Sequence, residues 1–184
     1  MTVPPPPAGR VLFTGDLVDT EATEALGRRL AVLLRAGDLL VLTGPLGAGK
    51  TTLTRGLGAG LRVRGQVASP TFVLARTHPT ESGVPLVHVD AYRLGGADEL
   101  DDLDLDYEGS VVVVEWGAGL LDGVAESWLD VVIERPTGAG GELGDDEGSD
   151  PDPDPDPDDV PDEPRRLTIT AHGPRWEGVR LTTG

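Results

Sequence analysis

Gly44-Pro45-Leu46-Gly47-Ala48-Gly49-Lys50-Thr51 is a complete G-x4-G-K-[ST] phosphate-binding loop. In such a loop glycines let backbone N–H groups converge on phosphate oxygens, a lysine reaches the β/γ-phosphates, and the next hydroxyl meets Mg²⁺. Gly44, Gly47, Ala48, Gly49, Lys50, Thr51 and Thr52 are therefore candidate nucleotide-binding residues. Lys50 is the only lysine in 184 residues. Arginine's rigid planar fork is a poor substitute for a compact, flexible ammonium at this point.

The flanks suit the loop. Asp38 to Thr43 (DLLVLT) is a short apolar run of strand length, and Thr51 to Leu57 (TTLTRGL) carries apolar residues at helical spacing. Strand, glycine loop and helix in that order put the orphan N–H groups and positive dipole end of a helix beneath the phosphates.

Working outward, Thr20 to Ala36 reads as a helix with Leu26, Leu30, Leu33 and Leu34 on one stripe. Asp19 or Thr20 is its N-cap, and it ends near Gly37. Arg10 to Thr14 reads as a first short strand. After the loop helix come Ser69 to Leu74 and a turn region with Pro79 and Gly83. Val84 to Asp90 and Val111 to Glu115 read as strands, the second a run of four valines of the kind buried on both faces. Ala97 to Leu105 between them reads as an acidic helix. Leu129 to Glu134, Arg165 to Ala171 and Gly178 to Thr182 read as further strands. The alternation predicts an α/β fold of the P-loop nucleoside triphosphatase kind, a mainly parallel sheet with helices on both faces.

The length suits one domain. Residues 1–9 read as a disordered proline-rich tail, 10–136 as the ATPase domain, 137–163 as an acidic Asp-Pro disordered insertion, and 164–184 as terminal strands of the same domain. Residues 137–163 hold 12 of the 32 acidic residues and no basic one, leaving 20 acids against 15 bases elsewhere. Neither part favours a chain that itself grips a nucleic-acid backbone, where affinity comes largely from lysine and arginine. A flexible carboxylate array also lacks the rigid oxygen cage of a calcium site. There is no cysteine, no long apolar run and no signal-like start, so a soluble cytoplasmic protein without a membrane partner is expected.

A phosphate loop needs a second acid to complete its Mg²⁺ site, normally at the end of a buried strand. Glu115 ends the valine run, and Asp90 ends Val84 to Val89. Acids at strand ends are also ordinary loop starts, but two of them at the edge that carries the phosphate loop favour a site. Thr71 stands where switch segments place a γ-phosphate-sensing threonine, or is simply a turn residue beside Pro70. His88 reads as a satisfied strand histidine rather than a base, and Trp116 as either a packing aromatic or an exposed contact beside the metal. The chain has no asparagine, so the guanine-reading N-K-x-D motif is impossible and ATP is the expected nucleotide.

GPLGAGKTT (44–52), SPTF (69–72), HVDAYR (88–93) and Glu115-Trp116, in that order and spacing, resemble the TsaE family, also called YjeE. The resemblance runs from about Thr20 to Ile133. It implies a small Mg²⁺-dependent ATPase that works with TsaB and TsaD to make N6-threonylcarbamoyladenosine in tRNA, meeting tRNA only through that complex. It implies Lys50, Thr71 and Asp90 as catalytic residues, Thr51 and Glu115 as metal ligands, and a segment near the adenine that includes Thr20 and Thr23. The Asp-Pro insertion and the proline-rich tail depart from the family's compact pattern, which leaves open any family role of residues 137–166, including a nucleotide contact near Arg165. Two other readings stay open: a small-molecule kinase, which needs an arginine-rich lid that is not visible, and a non-hydrolysing ATP-sensing module. Arg93 and Arg76 are candidates for an arginine finger only by nearness to motifs.

Overall fold

A computed structural model describes residues 9–70, 73–121, 123–135 and 163–181. The elements are β1 (Arg10–Leu17), α1 (Thr20–Ala31), β2 (Leu39–Thr43), α2 (Lys50–Gly60), β3 (Ala75–His78), β4 (Leu86–Asp90), α3 (Ala97–Asp101), β5 (Val111–Glu115), β6 (Trp128–Glu134) and β7 (Arg165–His172), then a 3₁₀ turn at Pro174–Trp176. They build one seven-stranded sheet in the order β1-β7-β6-β2-β5-β4-β3. The central four strands β6, β2, β5 and β4 are parallel, while β1–β7, β6–β7 and β3–β4 pair antiparallel. The parallel centre of an α/β sheet is as expected, and antiparallel strands finish both edges.

Every residue of β5 is buried, and its side chains alternate between two apolar layers. Val111 and Val113 join Leu40, Leu42 and the helices α1 and α2 on one face. Val112 and Val114 join Leu39, Val41, Val89 and Leu100 of α3 on the other. The helix α1 lies directly on α2, backbone to backbone. A Cβ added to Gly56 would strike the Glu24 backbone, and one added to Gly27 would meet the Leu53 carbonyl. Glu24 faces Gly56 and Arg28 faces Gly60, so the two helices run in the same sense, with both N-termini at the loop end.

Four sequence expectations are corrected. The acidic helix expected over Ala97 to Leu105 stops at Asp101, and the chain then turns through Asp104 at φ 48°. The helix expected to reach Ala36 ends at Ala31, with Val32 82% exposed, because the chain turns to bring Leu33 and Leu34 onto the core from outside the helix. Asp38 holds that turn by accepting from Arg35 N (2.9 Å) and from Nε and Nη2 of Arg175 (2.9 Å each). The turn region before Pro79 contains a strand, β3, paired with β4. No strand forms over 178–181: the 3₁₀ turn there buries Trp176 instead, and Thr182 lies outside the described residues. Residues 1–8 and 136–162, on which the expectations of a disordered tail and insertion fall, also lie outside them.

Candidate functional site

The strand β2 delivers the chain into the loop, and α2 begins at Lys50. Gly49 caps that helix with φ at 105°, a left-handed conformation that costs a side-chain-bearing residue, and a Cβ there would collide with the Arg165 guanidinium. Lys50 is buried, 5% exposed. Its ammonium donates to the carbonyls of Gly44 (2.9 Å) and Pro45 (3.1 Å) and lies 4.0 Å from the Trp116 ring centroid. Thr52 and Ala48 are buried.

The second half of the site comes from β4 and β5. Asp90 and Glu115 are Cα partners at the carboxyl ends of these adjacent parallel strands, 6% and 2% exposed. Thr51 Oγ1 donates to Glu115 Oε1 at 3.2 Å, joining the phosphate-loop helix to the sheet edge across 64 residues of sequence. Glu115 Oε1 also lies 2.6 Å from His88 Nε2. Asp90 Oδ1 accepts from Tyr92 N at 3.0 Å, so the carboxyl group sits at the start of the turn leaving β4.

These oxygens fit Mg²⁺. Thr51 gives away its hydrogen and keeps lone pairs, and Glu115 Oε2 receives no hydrogen bond from a described residue. Hard oxygen donors are what Mg²⁺ takes, and it is commonly held by one or two protein groups plus phosphates and water. Consistent with that, the described residues contain no group of three or more His, Cys, Asp or Glu that could cage a metal by themselves.

The structure places the other expected residues as follows. Thr20 and Thr23 lie in the first turn of α1, at the loop end of the paired helices. Thr23 is buried and donates its hydroxyl to Asp19 O at 3.1 Å, while Asp19 Oδ1 caps the helix by accepting from Ala22 N at 2.7 Å. Thr71 lies outside the described residues. Trp116 is half-buried and packs as an aromatic: it sits over Lys50, and its ring meets that of the exposed Tyr92 at 5.2 Å between centroids. Arg76 stands on β3 opposite His88.

The sequence left a nucleotide contact near Arg165 open, and the structure sets that residue at the loop. Arg165 opens β7 and is 3% exposed, with its guanidinium packed on Gly49. A period-two signal was there: Arg165, Leu167, Ile169 and Ala171 are the alternate, buried positions of β7. An arginine in register with three core residues is a cation drawn inward.

Two further groups are shifted by burial. His78, on β3, has its pKa lowered from 6.5, chiefly by desolvation and then by His88 and Arg76 nearby. Asp130, on β6, has its pKa raised from 3.8 by desolvation, with His172 pulling the other way. Asp130 lines a depression of about 200 Å³ on the sheet face opposite α1 and α2, beside the stacked rings of Trp128 and His172, 4.4 Å apart.

Comparison with known proteins agrees with this geometry. Residues 17–140 match the family profile of "Threonylcarbamoyl adenosine biosynthesis protein TsaE". The chain is 55% identical over 155 residues to the tRNA threonylcarbamoyladenosine biosynthesis protein TsaE of Streptomyces coelicolor, covering 82% of this chain and 91% of that one. The Bacillus subtilis protein of the same name is 36% identical over 163 residues, 87% of this chain and 86% of that one. A crystal structure of Bacillus subtilis YdiB superposes with a TM-score of 0.64 at 28% identity, covering 92% and 91% of the two chains. With a phosphate loop on α2 and two acids in register beside it, on the fold these relatives share, the chain belongs to the TsaE family.

Proposed function

We propose that the chain is a Mg²⁺-dependent ATPase that supports formation of N6-threonylcarbamoyladenosine in tRNA together with TsaB and TsaD, meeting the tRNA only through that assembly. The observation that carries the reading is the Thr51–Glu115 hydrogen bond, which puts the hydroxyl of the phosphate loop and the acid of a buried strand at one point. Lys50 and the amides after Gly44 hold the phosphates, and Arg165 adds a cation behind Gly49. Thr51 and Glu115 hold the Mg²⁺, which when bound neutralises charge on the phosphates. Asp90 orients the attacking water from the adjoining strand end, and Thr71 senses the γ-phosphate. Thr20 and Thr23 lie toward the adenine. No helix of the described residues is long and apolar enough to cross a membrane, and a tRNA-linked role fits the cytoplasm.

An arginine supplied by a partner can be worth about 10³–10⁵ in rate. The isolated chain is therefore expected to hydrolyse ATP slowly and the three-protein mixture faster. Steady-state phosphate release is compared for the chain alone, the mixture, and the mixture with Asp90→Ala. Stimulation by the partners that Asp90→Ala abolishes, with ATP binding kept, supports the reading. Full activity alone, indifferent to TsaB and TsaD, overturns it in favour of a self-sufficient ATPase or kinase.

A further inference from the structure

His88 is fully buried, and its Nε2 lies 2.6 Å from Glu115 Oε1, closer than the Thr51 hydroxyl at 3.2 Å. A carboxylate only accepts, so the ring donates from Nε2, and Nδ1 is the nitrogen left over. Nδ1 is buried and has no hydrogen-bond partner among the described residues. A buried ring nitrogen with nothing to bond is unfavourable, and an apolar side chain at this place would avoid the cost. The fold keeps a half-satisfied imidazole, so the half that is satisfied needs a reason. The register supplies one. Leu86, His88 and Asp90 alternate onto one face of β4, the face of Val113 and Glu115 on β5, with His88 beside Val113 and one step short of Glu115. The ring reaches forward along the sheet to the acid from beneath.

We propose that His88 is a positioning residue for Glu115. By donating from Nε2 it holds Oε1 together with Thr51 and leaves Oε2 as the oxygen that would serve Mg²⁺. This rests on the reading of Glu115 as a metal ligand. Outer groups that hold a ligand in place typically change metal affinity by about 10- to 100-fold when removed.

The test is calorimetric titration of ATP into the full chain, in Mg²⁺ and in EDTA, for wild type, His88→Met, His88→Asn and His88→Gln. Glutamine can bring an amide N–H to the place of Nε2, whereas asparagine reaches only as far as Nδ1 and methionine has no donor. The expected result is that the gain in ATP affinity on adding Mg²⁺ falls about 10-fold or more in His88→Met and His88→Asn and returns in His88→Gln. Affinities in EDTA match wild type throughout. Should His88→Met fail to fold, the Asn and Gln pair decides alone. A Mg²⁺ gain kept in full by His88→Asn, or lost equally in His88→Gln, overturns the inference while the metal reading of Glu115 stands. A wild-type chain whose ATP affinity ignores Mg²⁺ overturns both.

Discussion

Lys50 holds its ammonium 4.0 Å from the centroid of the Trp116 ring while donating to the carbonyls of Gly44 and Pro45. The one lysine of the chain is thus enclosed by loop and aromatic together, and a phosphate reaching it must compete with these partners. Lys50→Ala is expected to lose about 1.5–3 kcal/mol of ATP affinity, the size of a charge-assisted hydrogen bond. Lys50→Arg should recover little of it, because a planar fork does not fit between the Trp116 ring and the loop. Calorimetry on folded variants measures both, and an unchanged affinity in Lys50→Ala removes the lysine from the site.

The contact between α1 and α2 makes a second expectation. Gly56→Ala gains about 1 kcal/mol from helix propensity but drives a methyl group into the Glu24 backbone. Overpacking of this kind costs about 1–3 kcal/mol, and here the obstacle is main chain that cannot rotate aside. The variant should unfold at lower urea than wild type; a higher midpoint would mean the helices can slide apart freely.

Third, residues 138–162 should be replaceable by a short Gly/Ser loop. β6 and β7 pair antiparallel with Glu134 opposite Arg166, so the segment leaves and returns at neighbouring points, and Arg135–Glu163 closes its base at 2.9 Å. Shortening a loop by two doublings changes closure entropy by only about 1 kcal/mol, in the stabilising direction. The melting temperature should hold or rise slightly. A clear fall would show that the segment contributes to the fold.

Fourth, two groups should give stability opposite pH slopes. Burial raises the Asp130 pKa above 3.8, so the fold binds that proton more tightly than the unfolded chain does. Its contribution is lost as pH rises through the window above 3.8, and Asp130→Asn should melt higher than wild type at pH 7 with no advantage in strong acid. His78 is the reverse. Its folded pKa lies below 6.5, so stability falls as pH drops from about 6.5 through the folded value, and His78→Gln should flatten that part of the curve. Melting temperatures across pH 3–8 read out both.

What could be read beforehand follows from which signals are local. The loop and the strand Val111–Glu115 carry their periodicity and chemistry within a few residues, and both stand where the sequence puts them. The first helix was overextended because Leu33 and Leu34 keep helical spacing while packing from a turn that Asp38 and Arg175, 137 residues apart, hold in place. The edge strand Ala75–His78 has only four residues, with exposed Arg76 and Thr77, and offers no alternation long enough to see. In the site, each of Lys50, Thr51, Asp90 and Glu115 was legible singly. That His88 bonds Glu115 was not, since it depends on which strands are neighbours. A contact near Arg165 stayed open because the acidic run precedes it, although its place in the alternation of β7 pointed inward.

The register of β4 against β5 has a consequence for purity as much as for chemistry. Asp90 is level with Glu115, and a slip of one residue in either strand would turn every side chain over, sending a carboxylate into the valine layer and a valine to the edge beside the phosphate loop. There is no slightly misaligned version of this protein that keeps its shape and merely works less well. On the function proposed above, the fraction of a preparation that fails to bind ATP should therefore coincide with its misfolded fraction, and titration with ATP should count correctly folded molecules one for one.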